Sequence, residues 1–388
     1  MIKNKDSFEN MSIKVPLFIP SITKDDTKNI QKVLNSTYLT DGPKLRQFEN
    51  EFAKFTGAKY AVGLSNATSA LHLSLKSLGI GNGDEVIVPN ITFVATANAV
   101  ILAGAKPILV EVNYDDMNIS TESILENLSD KVRAILPVHF AGKPANMNEI
   151  THIAKKNNLL IIEDCAHAIG TKKENRHVGT FGNTGCFSFY PTKNITTIEG
   201  GMVITNNNKI AEKIRLLRNH GISRTLSNRY KIGKPWDYDI KFSGYNYRLD
   251  EVRSSLGLNQ LKRIEQINNN RFIACKYYNS KLKNIEGIEI PKILPKNENS
   301  YHLYIIKIKE NYGISRDELY KKLLKVGIRT TVHYKPLHLF SAFKKMKRSR
   351  SLKNSNKLYR ELLSLPLYTQ ITKKEQNQVI NYIKKFKK

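Results

Sequence analysis

A lysine and an acidic pair stand at the ends of two apolar runs. The first run, Gly185 to Tyr190, reads as a short buried strand that stops at Pro191, and Lys193 follows two residues later. Thr196, Thr197 and Gly200-Gly201 come next, and then the apolar Met202-Val203-Ile204. A loop lysine is ordinarily a solvated surface charge. This one is bracketed by two apolar strands and by small residues that let backbones approach closely. Desolvation there disfavours the ammonium, lowers its pKa and frees an amine that can act as a nucleophile. The second run, Leu159 to Ile162, ends in Glu163-Asp164, with His167 three residues beyond Asp164. In α/β folds, residues just past the carboxyl end of a strand face the ligand crevice. Pyridoxal phosphate needs a lysine that carries it as an imine and a carboxylate that pairs with its protonated pyridine nitrogen. Lys193 and Asp164 supply such a pair.

These groups need a scaffold, and the pattern supplies one. Strand-like runs begin at Lys59, Glu85, Pro107, Arg133, Leu159, Gly185 and Met202, seven in all. Helical stretches near Ala70–Leu78, Thr121–Leu128, Asn146–Lys156 and Asn207–His220 alternate with them, and Thr92-Phe93 opens another. Alternation of strand and helix predicts a mostly parallel sheet covered on both faces. Asn66-Ala67-Thr68-Ser69 follows the first strand and opens a helix. Such a string serves as an ordinary N-cap or leaves free N–H groups aimed at an anion. Thr23 ahead of Asp25-Asp26 reads as a further N-cap, and residues 1–19 read as a loose arm. Asp250 reads as the cap of a long amphipathic helix that carries Val252, Leu256, Leu261 and Ile264 and leaves the first domain. The division predicted is therefore a large α/β domain over 1–250 and a small α+β domain over 251–388. The small domain would hold a strand near Tyr301–Ile308 and helices near Arg316–Val326, Lys357–Ser364 and Lys374–Lys387.

Five motifs in order resemble one family. Asn66-Ala-Thr-Ser, Thr92-Phe93, Glu163-Asp164-Cys-Ala-His167, Ser188-Phe-Tyr-Pro-Thr-Lys193-Asn-Ile-Thr-Thr and Gly244-Tyr-Asn246-Tyr-Arg248 are similar to those of the DegT/DnrJ/EryC1/StrS family. The resemblance runs from about Pro20 to the C-terminus. It implies a fold-type I pyridoxal-phosphate transferase, with a seven-stranded large domain, acting as an aminotransferase on nucleotide-linked keto sugars. By resemblance Lys193 carries the cofactor and moves the proton, and Asp164 pairs with the ring nitrogen. His167 lies near the phenolic oxygen and Phe93 over the ring. Asn66, Ala67, Thr68 and Ser188 hold the phosphate, and Asn246 reaches the partner subunit's cofactor in a homodimer with shared active sites. Thr40 in the loop before the second helix, Arg248, and His333 and His338 in Val332–His338 border the substrate. Ala67 stands where glycine is frequent. Ile198 replaces a glycine, and a β-branched residue there is expected to exclude glycine-only backbone conformations. Glutamate is the implied amino donor, and C4 of a deoxysugar in glycan precursor synthesis is the favoured keto position, with C3 as the alternative. Family members that act as dehydratases carry histidine in place of the lysine, and Lys193 argues against that branch.

Composition restricts the rest. The 388 residues allow two domains. Three scattered cysteines suit neither a disulfide framework nor a zinc site, and no metal is expected. No secretory pattern or membrane-length apolar run stands out, which predicts a cytoplasmic protein with no membrane partner. Sixty-two Lys and Arg against 34 Asp and Glu give a net charge of +28. That charge raises the rival reading of a nucleic-acid-binding regulator. The lysines are spread along the chain instead of forming a stripe, so no nucleic-acid partner is expected. A diffuse positive field would concentrate an anionic substrate.

Overall fold

The computed structural model describes residues 12–223 and 236–388. Short runs of branched and apolar residues form a central sheet: β1 (Tyr60–Leu64), β2 (Glu85–Pro89), β3 (Lys106–Val110), β4 (Val132–Ile135) and β5 (Leu160–Asp164). After a hairpin of β6 (Lys172–Lys173) and β7 (Arg176–His177), β8 (Thr184–Ser188) and β9 (Gly201–Thr205) complete it. Each of the seven starts within one residue of its expected position. The order across the sheet is β1-β9-β8-β5-β4-β2-β3. β9 is antiparallel to both neighbours and the other pairings are parallel. The chain is thus α/β with a mostly parallel seven-stranded sheet.

Strand periodicity divides the core. Val62, Val86, Ala134, Ile162, Cys186 and Val203 face α3 (Ala67–Ser77), α4 (Ala95–Leu102) and α7 (Asn208–Leu217). Their sequence neighbours point the other way. Ala61, Phe187, Met202 and Ile204 meet Phe48 and Phe52 of α2 (Pro43–Thr56), and Ile87, Ile135 and Ile161 meet α5 (Thr121–Glu126) and α6 (Met147–Lys156). Both faces are covered, so the strands need no polar side.

The helix expected from Asp250 is two helices, α8 (Glu251–Leu261) and α9 (Ile264–Leu282). Asp250 does cap α8, accepting from the Arg253 N–H at 2.8 Å. α8 packs on α1 (Lys24–Leu34) and α2. A buried carboxylate explains this attachment. Glu251 accepts from the N–H groups of Gly42, Lys44 and Leu45 at 3.0, 2.7 and 3.0 Å, so it caps α2 from outside and lies at the positive end of that helix. At the other end of α8, Asn259 and Arg263 bond Asp26 of α1, each at 2.7 Å. Asp26 also closes the capping box with Thr23.

The smaller domain holds an antiparallel sheet of β10 (Ile288–Glu289), β11 (Tyr304–Ile308) and β12 (Leu362–Leu365), with α9, α10 (Arg316–Lys325) and α12 (Lys373–Phe386) against it. The helix expected over Lys357–Ser364 is instead α11 (Lys353–Glu361) followed by β12. Pairing of Leu362–Leu365 along β11, with all four residues buried, overrides the helical pattern. One local expectation also changes. Residues 1–11 lie outside the described residues, but 12–19 are not a loose arm. Val15 is fully buried, pairs with Ile328 and belongs to the small-domain core. Its apolar side chain is held there by N–H groups of Lys14 and Val15 that donate to the Gly327 carbonyl at 2.9 and 3.1 Å.

Removing that anchor should be measurable. Val15→Ala deletes two buried methyl groups and should cost about 1–3 kcal/mol, read as a fall in the thermal midpoint. A midpoint equal to wild type would show that the segment contributes nothing to the small domain.

Candidate active site

The carboxyl ends of β1, β2, β5 and β8 open on a single cavity of about 540 Å³. Nine of the predicted site residues line it: Asn66, Ala67, Thr68, Phe93, Asp164, His167, Ser188, Lys193 and His333. Four do not. Thr40 is exposed and bridges Asp250. Asn246 bridges Asn219, and Arg248 donates to the Asn219 side-chain carbonyl at 2.7 Å. His338 bonds the Asn90 side chain through Nδ1 at 2.9 Å.

Strand alternation gives the two adjacent carboxylates different work. Glu163 turns away from the cavity and is saturated. It accepts from Gly179 N–H and Gly182 N–H, both at 2.7 Å, and lies 3.0 Å from His139 Nε2. Asp164 faces the cavity. Its Oδ2 accepts from Thr96 Oγ1 at 2.9 Å and its Oδ1 from the Ala166 N–H at 3.1 Å. Burial raises its pKa, against which those two bonds and the Lys193 charge act. A desolvated carboxylate with a single donor on each oxygen is suited to a cationic N–H partner.

Lys193 sits five residues beyond β8, the strand paired with β5. Among the described residues no hydrogen bond or ion pair holds its amine. Burial lowers its pKa to about 8, opposed by the Asp164 charge. The loop around it is pinned. Asn194 Nδ2 donates to Asn268 Oδ1 and to the Ser300 carbonyl, both at 2.7 Å. Gln260 clamps the Thr196 backbone, accepting from its N–H at 3.0 Å and donating to its carbonyl at 2.6 Å. Ile198 does take a left-handed conformation, with φ of 69°, contrary to the expectation from its branching. Its N–H donates to Thr196 Oγ1 at 2.9 Å and Thr197 Oγ1 donates to the Glu199 carbonyl at 2.8 Å. These bonds hold a conformation that costs an L-residue roughly 1–2 kcal/mol.

The opposite wall is the start of α3. Asn66 Oδ1 accepts from the Ser69 N–H at 2.8 Å, which leaves the Ala67 and Thr68 N–H groups at the cavity. Gly201 makes this packing possible, because a Cβ there would lie 2.4 Å from the Asn66 carbonyl oxygen. His167 is held at both ring nitrogens: the Ala141 N–H donates to Nδ1 at 3.3 Å, and the Tyr334 hydroxyl lies 3.1 Å from Nε2. Burial and then the Lys193 charge push its pKa well below the usual value. His333 bonds Ser364 of β12 at 2.8 Å, and burial lowers its pKa to about 3. Phe93 is 55% exposed, with its ring 6.0 Å from that of Tyr334. Among the other lining residues, Thr96 and Tyr334 carry polar groups that bond the site residues. Thr96 carries no signal beyond standing four residues after Thr92. Tyr334 lies within Val332–His338, where the histidines are the residues with a recognisable signal.

The sequence model of the DegT/DnrJ/EryC1/StrS aminotransferase family matches residues 20–384. The chain belongs to this family. It is 35% identical to the spore coat polysaccharide biosynthesis protein SpsC of Bacillus subtilis over 95% of this chain and 96% of that protein. The structure of Helicobacter pylori PseC, an aminotransferase involved in the biosynthesis of pseudoaminic acid, is similar with a TM-score of 0.88 and 30% identity, over 96% of this chain and 98% of that one. A Streptococcus pneumoniae relative in its PLP form has a TM-score of 0.88 and 27% identity, over the same shares of the two chains. As a DegT/DnrJ/EryC1/StrS protein the chain is an aminotransferase of a PLP-dependent family. The cavity residues fit that group: a partly bonded buried carboxylate, an unengaged amine and two free N–H groups at a helix start. No described helix is long and apolar enough to cross a membrane.

The lowered pKa has a kinetic consequence. Only the neutral Lys193 amine can attack an aldehyde, so cofactor uptake by apoprotein should accelerate as pH rises and level off above about 8. The rate at which pyridoxal phosphate becomes fixable by borohydride measures this. A rate still climbing up to the range of an ordinary lysine, near 10.4, would show that the amine is not desolvated.

Proposed function

We propose that this aminotransferase binds pyridoxal phosphate through Lys193 and transfers an amino group from glutamate to a keto group, at C4, of a nucleotide-linked deoxysugar. The observation that carries the reading is the convergence of Asp164 and Lys193 on one cavity whose far wall is a helix start with free N–H groups. When bound, the cofactor supplies an electron sink for the proton transfer. Lys193 is placed to hold it and to act as general base and acid, its lowered pKa lying near neutral working conditions. Asp164 is placed to keep a ring nitrogen protonated, and Phe93 to pack on a flat ring. Ala67, Thr68 and Ser188 cradle a phosphate. His167 orients near the phenolic oxygen, and His333 faces the substrate side. Roles in glycan precursor synthesis fit the names of SpsC and PseC. Incubation with glutamate and a panel of 4-keto and 3-keto nucleotide sugars, read by mass spectrometry, should give amination of a 4-keto sugar. Amination of 3-keto sugars alone would move the site to C3, and no amination of any member would end the sugar reading.

We propose further that the enzyme is a homodimer in which Asn246 and Arg248 serve the partner subunit's cofactor and substrate, and that Thr40 and His338 border that substrate. The support is that these four residues do not line the cavity of their own subunit, and that Tyr238 and Ile240, which precede Asn246 in the chain, are exposed. Asn246→Asp and Lys193→Ala homodimers should each be inactive. Mixed dimers should recover activity, because one site in each then carries neither defect. Inactive mixtures with heterodimers demonstrated would show that Asn246 serves its own subunit.

A further inference from the structure

The hydrogen bonds at His167 determine where the Tyr334 proton points. Nδ1 accepts from the Ala141 N–H at 3.3 Å, so it carries no proton. In a neutral imidazole the proton is then on Nε2. Burial keeps the ring neutral. The 3.1 Å contact with Tyr334 is therefore Nε2–H donating to the phenol oxygen. A phenol that accepts from His167 cannot donate to it. Its own O–H must find another acceptor, and among the described residues Tyr334 makes no second side-chain hydrogen bond. Tyr334 lines the cavity, and burial followed by the Asp164 charge raises its pKa, so the proton stays on oxygen. Phe93 and Phe140 pack near the phenol ring, with ring centroids 6.0 and 6.1 Å away.

We infer that Tyr334 presents a hydrogen-bond donor to an anionic oxygen bound in the cavity, and that His167 is its positioning partner, not the donor itself. The inference rests on the cofactor reading above and alters one assignment within it. The bonding order is Ala141 N–H to His167, His167 to Tyr334, and Tyr334 to ligand. Each step uses one proton and one lone pair, and no group is left with two donors facing each other. The acceptor is either the phenolate of pyridoxal phosphate or the carboxylate of the amino donor, both anionic oxygens.

Tyr334→Phe removes the hydroxyl and keeps the ring; it leaves the buried His167 Nε2–H without its acceptor, so the variant should melt somewhat below wild type while still loading the cofactor. Two readouts separate the acceptors. The first is the pH titration of the visible absorbance of cofactor-loaded enzyme. Loss of a donor to the phenolate raises the proton affinity there about tenfold, moving the midpoint up by about one unit. The second is steady-state kinetics with glutamate. If the acceptor is the donor's carboxylate, the midpoint stays and KM rises about tenfold or more with kcat little changed. Either result supports the inference. A loaded variant with both the midpoint and KM for glutamate unmoved would overturn it while leaving the cofactor reading intact. A wild type that takes up no cofactor would overturn both.

Discussion

Two groups that prefer water are held out of it, at the ends of neighbouring strands. Asp164 and Lys193 make no hydrogen bond to each other. Each is shifted toward its neutral form by burial, and each is drawn back toward its charged form by the other. A buried carboxylate and a buried amine with incomplete partners are costly to a fold. Much of the surrounding polar structure acts to hold that arrangement. Glu163, one residue away, takes three donors on the reverse side of the strand and fixes the end of β5. Gln260 of α8, Asn268 of α9 and the Ser300 carbonyl hold the lysine loop through Thr196 and Asn194, and the Thr196 hydroxyl braces it from within.

That last connection ties the C-terminal region to the chemistry. α8 packs on α1 and α2, and α9 packs in the core of the three-stranded sheet. Gln260 and Asn268, eight residues apart, both bond the loop that carries Lys193. His333 is held by Ser364 of β12, so the small-domain sheet also sets one wall of the cavity. The Glu251 cap on α2 and the Asp26 bonds to Asn259 and Arg263 prevent α8 from moving independently of the sheet. The cavity is thus bordered by the ends of the seven-stranded sheet and by a loop bonded to the three-stranded one.

Much of this was legible in the sequence, for local reasons. Strands buried on both faces are continuous apolar runs with sharp ends, so the seven starts and the residues just beyond them could be read directly. That is why Lys193, Asp164 and the Asn66–Thr68 turn fall at the cavity. What failed depended on contacts between distant residues. Leu362–Leu365 has a pattern open to helix or strand, and only pairing with Tyr304–Lys307 decides it. Val15 looked like tail because its partner, Ile328, is more than three hundred residues away. Ile198 adopts a backbone its side chain disfavours because the hydroxyls of the two preceding threonines over-determine the turn. Tyr334 carries no local signal, since its role arises from a histidine 167 positions earlier. Roles placed at Thr40, Asn246, Arg248 and His338 concern surfaces outside the cavity of one subunit, and there the reading rests on resemblance.

The central claim is that the desolvated amine of Lys193 is the group that holds the cofactor opposite Asp164. Borohydride reduction of the loaded enzyme, followed by peptide mapping, tests it most directly. The label should lie on the peptide containing Lys193 and be absent from Lys193→Ala. A label on any other lysine at comparable yield in that variant would contradict the account.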